Sequence, residues 1–357
     1  MSSQSKSLTT PQDLRAGNSY RVAIVGAASL KGKEVAEMLT DRNFPALDIK
    51  LLDDDESLGQ LEAMGDEVSF IQSVRAEQFD RVDFTFFASD MDCARKNWKI
   101  AQKAGSAIID LSYALEKEPE ARVRSPWIER ELKQSLTPEL QPGPVVIAHP
   151  AAAVLALLSL RVQRAGIVQR VIATVFEPAS EHGQQGMDEL HEQTVNLLSF
   201  QELPKKIFDA QVAFNMVARY GENSSSSLES VEQRIAEHFR RIAGPGVLVP
   251  SLALVQAPIF HGHAFSIYLE MDKPVALGDL AQALSGDHVT VTRSAEDSPN
   301  NVNAAGQESI LVSLTRDPQQ ENGIWLWVAA DNLRIAALTA VECAEAMATT
   351  RPRGKVQ

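Results

Sequence analysis

The chain reads as an α/β protein: a doubly wound parallel sheet, then a second α+β domain with a mixed sheet. Three observations predict this. Short apolar, β-branched runs alternate with helical segments up to Leu160, the pattern of strands joined by crossover helices. After Leu160 the connections lengthen and strands fall outside such units, which suits a mixed sheet. Near the far end a strand at Trp325–Val328 runs directly into a long helical segment.

Taken in order, Tyr20–Val25 is a buried-type strand ending at Gly26, with helical spacing following at Val35, Met38 and Leu39. Ile49–Leu52 is the second strand and stops at the acidic cluster Asp53–Glu56. Val82–Phe87 and Ala107–Leu111 are further strands, with a helix around Ala94–Ala104 between them. Val145–Ala148 continues the series. It reaches His149-Pro150 and gives way to the helix formers Ala151–Leu158, so strand, turn and helix succeed one another. Such a turn lies at the carboxyl end of a sheet strand, where ligands and nucleophiles are presented. This one is expected to present only methyl groups and to do no nucleophilic chemistry.

Beyond it come a strand at Arg170–Glu177, a helix at Gln184–Leu198, a polar loop at Ser224–Ser227 and a helix at Leu228–Ile242. Leu252–Met271 holds two strands with a bend at His261-Gly262-His263. Asp331–Met347 is predicted to be a long amphipathic helix. The domains expected are a disordered polar tail at 1–19, a Rossmann-like domain at 20–150 and a second domain at 151–330. No internal repeat is present.

Composition narrows the class. With 357 residues, 44% hydrophobic and 23% charged, the chain has room for two ordinary globular cores. A net charge of −13 argues against nucleic acid or anionic membrane as a partner, since both need a basic surface. Two cysteines, Cys93 and Cys343, with no CxxC, exclude a disulfide framework and a thiolate zinc site and suit a reducing cytoplasm. The polar start lacks the apolar centre of a signal peptide, and no apolar run is long enough to cross a bilayer.

Gly26-Ala27-Ala28-Ser29-Leu30-Lys31-Gly32 has the place and length of a dinucleotide loop, with a tight turn at its first glycine and pyrophosphate at a helix amino end. Ser29 stands where the middle glycine would let backbone approach phosphate. The loop therefore either holds a dinucleotide or is a plain βα turn without a cofactor. Its candidate ligands are Gly26, Ala28, Ser29, Leu30 and Gly32, joined by Ala88 and Ser89 after the Val82–Phe87 strand. Asp53 is placed to accept from a ribose 2′-hydroxyl and, with Asp54, Asp55 and Glu56, to repel a 2′-phosphate, so NAD is expected over NADP.

VAIVGAASLKGKEV, DRNFPALDIKLLDDDESLGQ, SEHGQQGMDEL, QAPIFHGHA and WVAADNLRIAALTAVECAEAM, in this order and spacing, resemble the aspartate-semialdehyde dehydrogenase family from about Tyr20 to Met347. AFNM at Ala213–Met216 and QAPIFHGHA are closest to its Usg-like branch. The resemblance implies an amino-terminal NAD(P) domain, a larger catalytic and dimerisation domain, a last helix that returns to the first domain and so adds 331–350 to 20–150, and a homodimer. It also implies reductive dephosphorylation of aspartyl phosphate through a cysteine thioester, which needs a thiolate, a histidine base and cations for carboxylate and phosphate.

Carried onto this chain, the nucleophile position is Ala152, within His149-Pro150-Ala151-Ala152. The glutamine that follows in the family is Glu177, the carboxylate-binding arginine is Gln256, the phosphate-binding arginine is Glu116, and the arginine suited to a 2′-phosphate is Glu56. The histidine persists as His263, and a phosphate-site lysine is matched by Arg234. Loss of a nucleophile removes a reaction path, and glutamate for arginine turns attraction into repulsion. The set reads as an abandoned active site.

The remaining candidates have plain readings beside functional ones. Cys93, at a helix start, is a structural cysteine or a substitute thiol; Cys343 packs in the last helix. His263 is a retained hydrogen-bonding feature, a non-covalent acid/base group, or, given a third converging ligand, a metal ligand with His261; no metal is assigned. Glu177, His182 and His263 could line a polar pocket for a cationic or neutral ligand. Two functions stand side by side: a non-catalytic, dimeric binding or regulatory homologue, and an NAD-dependent oxidoreductase that uses His263 on another substrate.

Overall fold

A computed structural model describes residues 19–53, 61–64, 67–134, 143–292 and 298–349. The tail at 1–18 and the acidic residues Asp54, Asp55 and Glu56 lie outside the described residues.

The first half of the chain builds β1 (Tyr20–Val25), α1 (Leu30–Asp41), β2 (Ala46–Asp53), the antiparallel pair β3 (Leu61–Met64) and β4 (Glu67–Phe70), β5 (Gln72–Ser73), β6 (Phe84–Phe87), α2 (Met91–Lys103), β7 (Ala107–Asp110), β8 (Arg122–Arg124), α3 (Pro126–Glu131), β9 (Val145–Ile147) and α4 (Pro150–Val162). Seven of these strands form one parallel sheet in the order β5-β2-β1-β6-β7-β9-β8. The order reverses between β1 and β6, and ligands of open α/β sheets bind at such a switch point. Ile24, Phe84, Phe86, Phe87 and Ile109 are fully buried in these strands, as expected for a sheet covered on both faces.

The second half adds β10 (Val168–Glu177), α5 (Gly183–Leu198), α6 (Leu228–Ala243), β11 (Ser251–Gln256), β12 (His263–Met271), α7 (Leu277–Leu284), β13 (Val289–Val291), α8 (Asn301–Ala304), β14 (Ile310–Arg316), β15 (Gly323–Ala330) and α9 (Asn332–Ala348). A mixed six-stranded sheet results, in the order β11-β10-β12-β15-β14-β13. The two strands expected between Leu252 and Met271 do not pair with each other. Strand β10 lies between them, parallel to β11 and antiparallel to β12. One face of this sheet exposes Ile172, Trp325 and Trp327, and the register sets Ile172 beside Tyr268 and Tyr268 beside Trp325.

Helix α9 is not amphipathic, contrary to expectation. Sixteen of its residues are buried and only Glu345 is partly open. The helix is enclosed by α1, α3 and α4 and by strands β7 and β9 of the first sheet, so no face is left for water. Its alanines permit this close approach, and its charges are matched internally: Arg334 against Glu37 at 3.1 Å and Asp41, Glu342 against Arg130 at 2.7 Å. Tyr20 donates to the carbonyl of Ala348 at 3.0 Å, joining the first strand to the last helix. Among the described residues no helix is long and apolar enough to cross a membrane.

Candidate functional site

The β1–α1 loop has the tight geometry that its glycines require. Gly26 has φ +84°, and a Cβ there would lie 2.4 Å from the Ser89 nitrogen; one on Gly32 would lie 2.1 Å from the Gly26 carbonyl oxygen. The loops after β1 and β6 thus touch at the switch point. Ser29 caps α1 by accepting from the Gly32 N–H at 3.0 Å and donates to the Ala88 carbonyl at 2.9 Å. Asp53 accepts from the Ala28 N–H at 2.7 Å, so the residue expected to hold a ribose also braces the loop. The turn has the backbone shape of a dinucleotide site, while the Ala28 and Gly32 amides are already engaged. Leu30 is the first residue of α1.

The turn after β9 presents more than methyl groups, which corrects the sequence reading. His149 is buried, its Nδ1 accepts from the Ala151 N–H at 3.2 Å, and its own N–H donates to His238 Nδ1 at 3.0 Å. A ring nitrogen that accepts from an amide carries no proton, so both neutral rings are the Nε2–H tautomer. Protonating either ring would break its amide contact. Burial lowers both histidines, His149 well below the ordinary imidazole range. Ala152 follows in the first turn of α4, fully buried.

Strand β10 and the short turn after it, Ala179–His182, bring up the carboxylates. Glu177 lies 3.4 Å from His263 Nε2 and Glu181 lies 3.9 Å from the same atom, with His263 and Glu177 both buried. Burial raises the Glu177 carboxyl against the opposing pull of His263. Burial also pushes Glu181 up, but Lys31, His149, His263 and the Asn332 amide together hold it at about 2. Gln256 bonds the carbonyls of Glu177 and Ala257 at 3.1 and 2.9 Å and accepts from the Tyr220 hydroxyl at 2.7 Å. His182 meets Tyr220 at 2.8 Å, and Tyr220 in turn reaches Gln256, which bonds the Glu177 carbonyl. Burial brings His182 down to about 4.

The two positions matched to phosphate-binding cations meet each other. Arg234 donates to both oxygens of Glu116 at 2.8 and 3.3 Å, and His238 Nε2 stands 3.4 Å from Glu116 without making a hydrogen bond. Burial raises Glu116, but His238 and Arg234 outweigh it and hold the carboxyl at about 2. Arg234 also lies over the Tyr113 ring at 5.0 Å, and Lys31 over the same ring at 4.7 Å. Lys31 leaves α1 to donate to the Leu111 carbonyl at 3.4 Å and to pair with Glu181 at 3.9 Å. The nucleotide loop therefore reaches into the histidine–carboxylate cluster.

Cys93 is half-buried near the start of α2, and burial raises its thiol. Cys343 is buried in α9 and pushed up to about 12 by the same cause. Both states describe packing rather than reactive thiolates. His261 is not drawn into the cluster around His263; its carbonyl accepts from Asn301 at 3.3 Å. Among the described residues no three histidine, cysteine, aspartate or glutamate side chains converge as metal ligands.

The semialdehyde dehydrogenase NAD-binding domain matches residues 21–136, and the semialdehyde dehydrogenase dimerisation domain matches residues 157–335. The chain belongs to the semialdehyde dehydrogenase family. It is 31% identical to an aspartate-semialdehyde dehydrogenase of Rickettsia bellii, over 93% of this chain and 98% of that one. A USG-1 protein homolog of Pseudomonas aeruginosa is 30% identical, over 90% and 95% of the two chains. A solved structure described as a probable aspartate-semialdehyde dehydrogenase, also from Pseudomonas aeruginosa, superposes with a TM-score of 0.81 at 27% identity, covering 92% of this chain and 98% of that chain.

Around the sequence-derived candidates the fold also gathers His149, His238, Lys31, Tyr113 and Tyr220, none of which motif reading assigns to the histidine–carboxylate cluster. A histidine beside a proline at a strand-to-helix turn is the one local signal, at His149. The others become visible only once α6 and the turn after β10 are folded against the first sheet.

Proposed function

We propose that this family member is non-catalytic with respect to thioester chemistry and serves as a homodimeric binding or regulatory protein. The closed Glu116–Arg234 pair carries the reading. Where the resemblance calls for two cations open to substrate phosphate, a carboxylate holds an arginine in a two-pronged ion pair, and an incoming phosphate would have to displace it. Ala152 offers no nucleophile, and Gln256 is spent on backbone carbonyls and Tyr220. The test is turnover of aspartate semialdehyde with phosphate and NAD or NADP, beside calorimetry with each dinucleotide. The expected result is no turnover; a rate within the ordinary enzyme range rejects the proposal.

Dinucleotide binding, if retained, favours NAD, because Asp53 stands at the end of β2 where a 2′-phosphate would come. The dimer is assigned to the sheet face bearing Ile172, Trp325 and Trp327, an apolar patch on the second domain.

A second reading, as an oxidoreductase on another substrate, draws on one observation. The amide bonds to His149 and His238 disqualify both as bases, whereas His263 Nε2 faces Glu177, leaving His263 as the proton-transfer group of the three. NAD would supply the hydride when bound, and absence of NAD binding removes this reading.

A further inference from the structure

Among the described residues the hydroxyl of Tyr113, which is buried, finds no hydrogen-bond partner, an uncommon state for a phenol inside a protein. Tyr113 is 6% exposed and sits in the left-handed backbone region at φ +63°, where a bulky residue is strained. The ring is held by Lys31 and Arg234 over its face, but among the described residues nothing rewards the hydroxyl. Its ring stacks on His149 with centroids 5.5 Å apart and planes 22° apart. The Ala151 amide fixes the His149 proton on Nε2, and that atom is 4.0 Å from the nearest Glu181 oxygen, beyond hydrogen-bond reach. Two nearly parallel rings therefore each carry a donor with no acceptor within reach among the described residues, that of Tyr113 fully buried. After burial, the charge acting most strongly on both is Glu181.

Both nearby cations are already paired, Arg234 with Glu116 at 2.8 Å and Lys31 with Glu181 at 3.9 Å, and Glu177 and Asp110 add further negative charge. A carboxylate ligand would meet Glu181 without a cation left for it. A neutral oxygen acceptor would meet two donors at no electrostatic cost.

We propose that Tyr113 and His149 form a two-donor seat for the oxygen of an uncharged carbonyl compound, an amide, ketone or aldehyde. This rests on the reading that the site no longer takes an acyl phosphate. The phenol stays protonated because burial raises it well above its usual range, so it donates throughout the neutral pH range.

The experiment uses the full chain with 15N-labelled histidine, acetamide and acetate as probes, and long-range proton–nitrogen spectra of the imidazoles. Acetamide is expected to shift His149 Nε2 saturably, with an affinity weakened about fivefold in Tyr113→Phe, the factor for one neutral hydrogen bond. Acetate at equal concentration is expected to give no saturable shift. The proposal is overturned by an absent acetamide shift, by an equal affinity in Tyr113→Phe, or by an equal response to acetate. A crystal structure in acetamide showing only an ordered water on the phenol would overturn it too. Semialdehyde turnover measured on the same sample separates the two claims: turnover with acetamide binding intact rejects only the non-catalytic reading, whereas an inert sample that ignores acetamide rejects only the seat.

Discussion

Replacing Glu116 by glutamine removes the charge that closes the former phosphate region while keeping the side chain's size. The ionised carboxylate is held at about 2 against an ordinary 4.5, which corresponds to about 3 kcal/mol. Glu116 and Arg234 are 18% and 21% exposed, so solvent screening reduces this to about 2 kcal/mol. Leaving Arg234 unpaired against Tyr113 restores part of the cost, and Glu116→Gln is expected to destabilise by about 2–3 kcal/mol at pH 7. The sign of the pH dependence follows from a depressed carboxyl: its contribution is complete above 4.5 and is lost as pH falls towards 2. Urea midpoints of wild type and variant should differ equally at pH 7 and 5, and the gap should drop to about two-fifths at pH 3. A double variant, Glu116→Gln with Arg234→Met, should recover part of the loss because no buried charge is left alone. A gap that persists unchanged at pH 3 would refute the electrostatic account and assign the cost to packing.

Other outcomes can be checked more simply. Gly32→Ala, whose added carbon would lie 2.1 Å from the Gly26 carbonyl, should lower the melting temperature despite alanine's helix propensity, by about 1–3 kcal/mol of overpacking; calorimetry decides. Iodoacetamide at pH 7 should modify Cys93 more slowly than a free thiol and leave Cys343 untouched until urea is added, as mass spectrometry of the intact chain would read. Trp325→Glu with Trp327→Lys should convert a dimer to a monomer in light scattering at micromolar concentration, whereas an unchanged mass would move the interface elsewhere. Ala152→Cys alone should restore no semialdehyde turnover, since Glu116 and Gln256 stay as they are; measurable turnover would show that the thiol was the only missing part.

The first sheet is legible in the sequence because its strands are short apolar blocks, YRVAIV and FTFF among them, and burial on both faces leaves no ambiguity of period. Strand β8, three residues with two arginines, and the pair β3–β4 carry no such signal. Helix α9 misleads for a physical reason. Its Arg334 and Glu342 look like a solvated stripe, but they meet carboxylates of α1 and arginines from elsewhere in the fold, which only tertiary structure supplies. The site divides in the same way. Ala152, Glu116, Glu177, Gln256 and His263 are nameable one at a time from the resemblance. That Glu116 and Arg234 face each other across 118 positions, or that a backbone amide at His149 selects a tautomer of His238, is not local information.

The burial of α9 bears on how the molecule is made. A helix near the far end of the chain forms part of the interior of the domain that emerges first, and Tyr20 bonds to Ala348 across 328 positions. Domains usually fold as they leave the ribosome; here the first domain must wait, with an apolar groove open beside β7 and β9, until residues 332–348 have been synthesised. A nonsense codon anywhere upstream of Asn332 would leave that groove uncovered, so truncation within the second domain would destabilise the first.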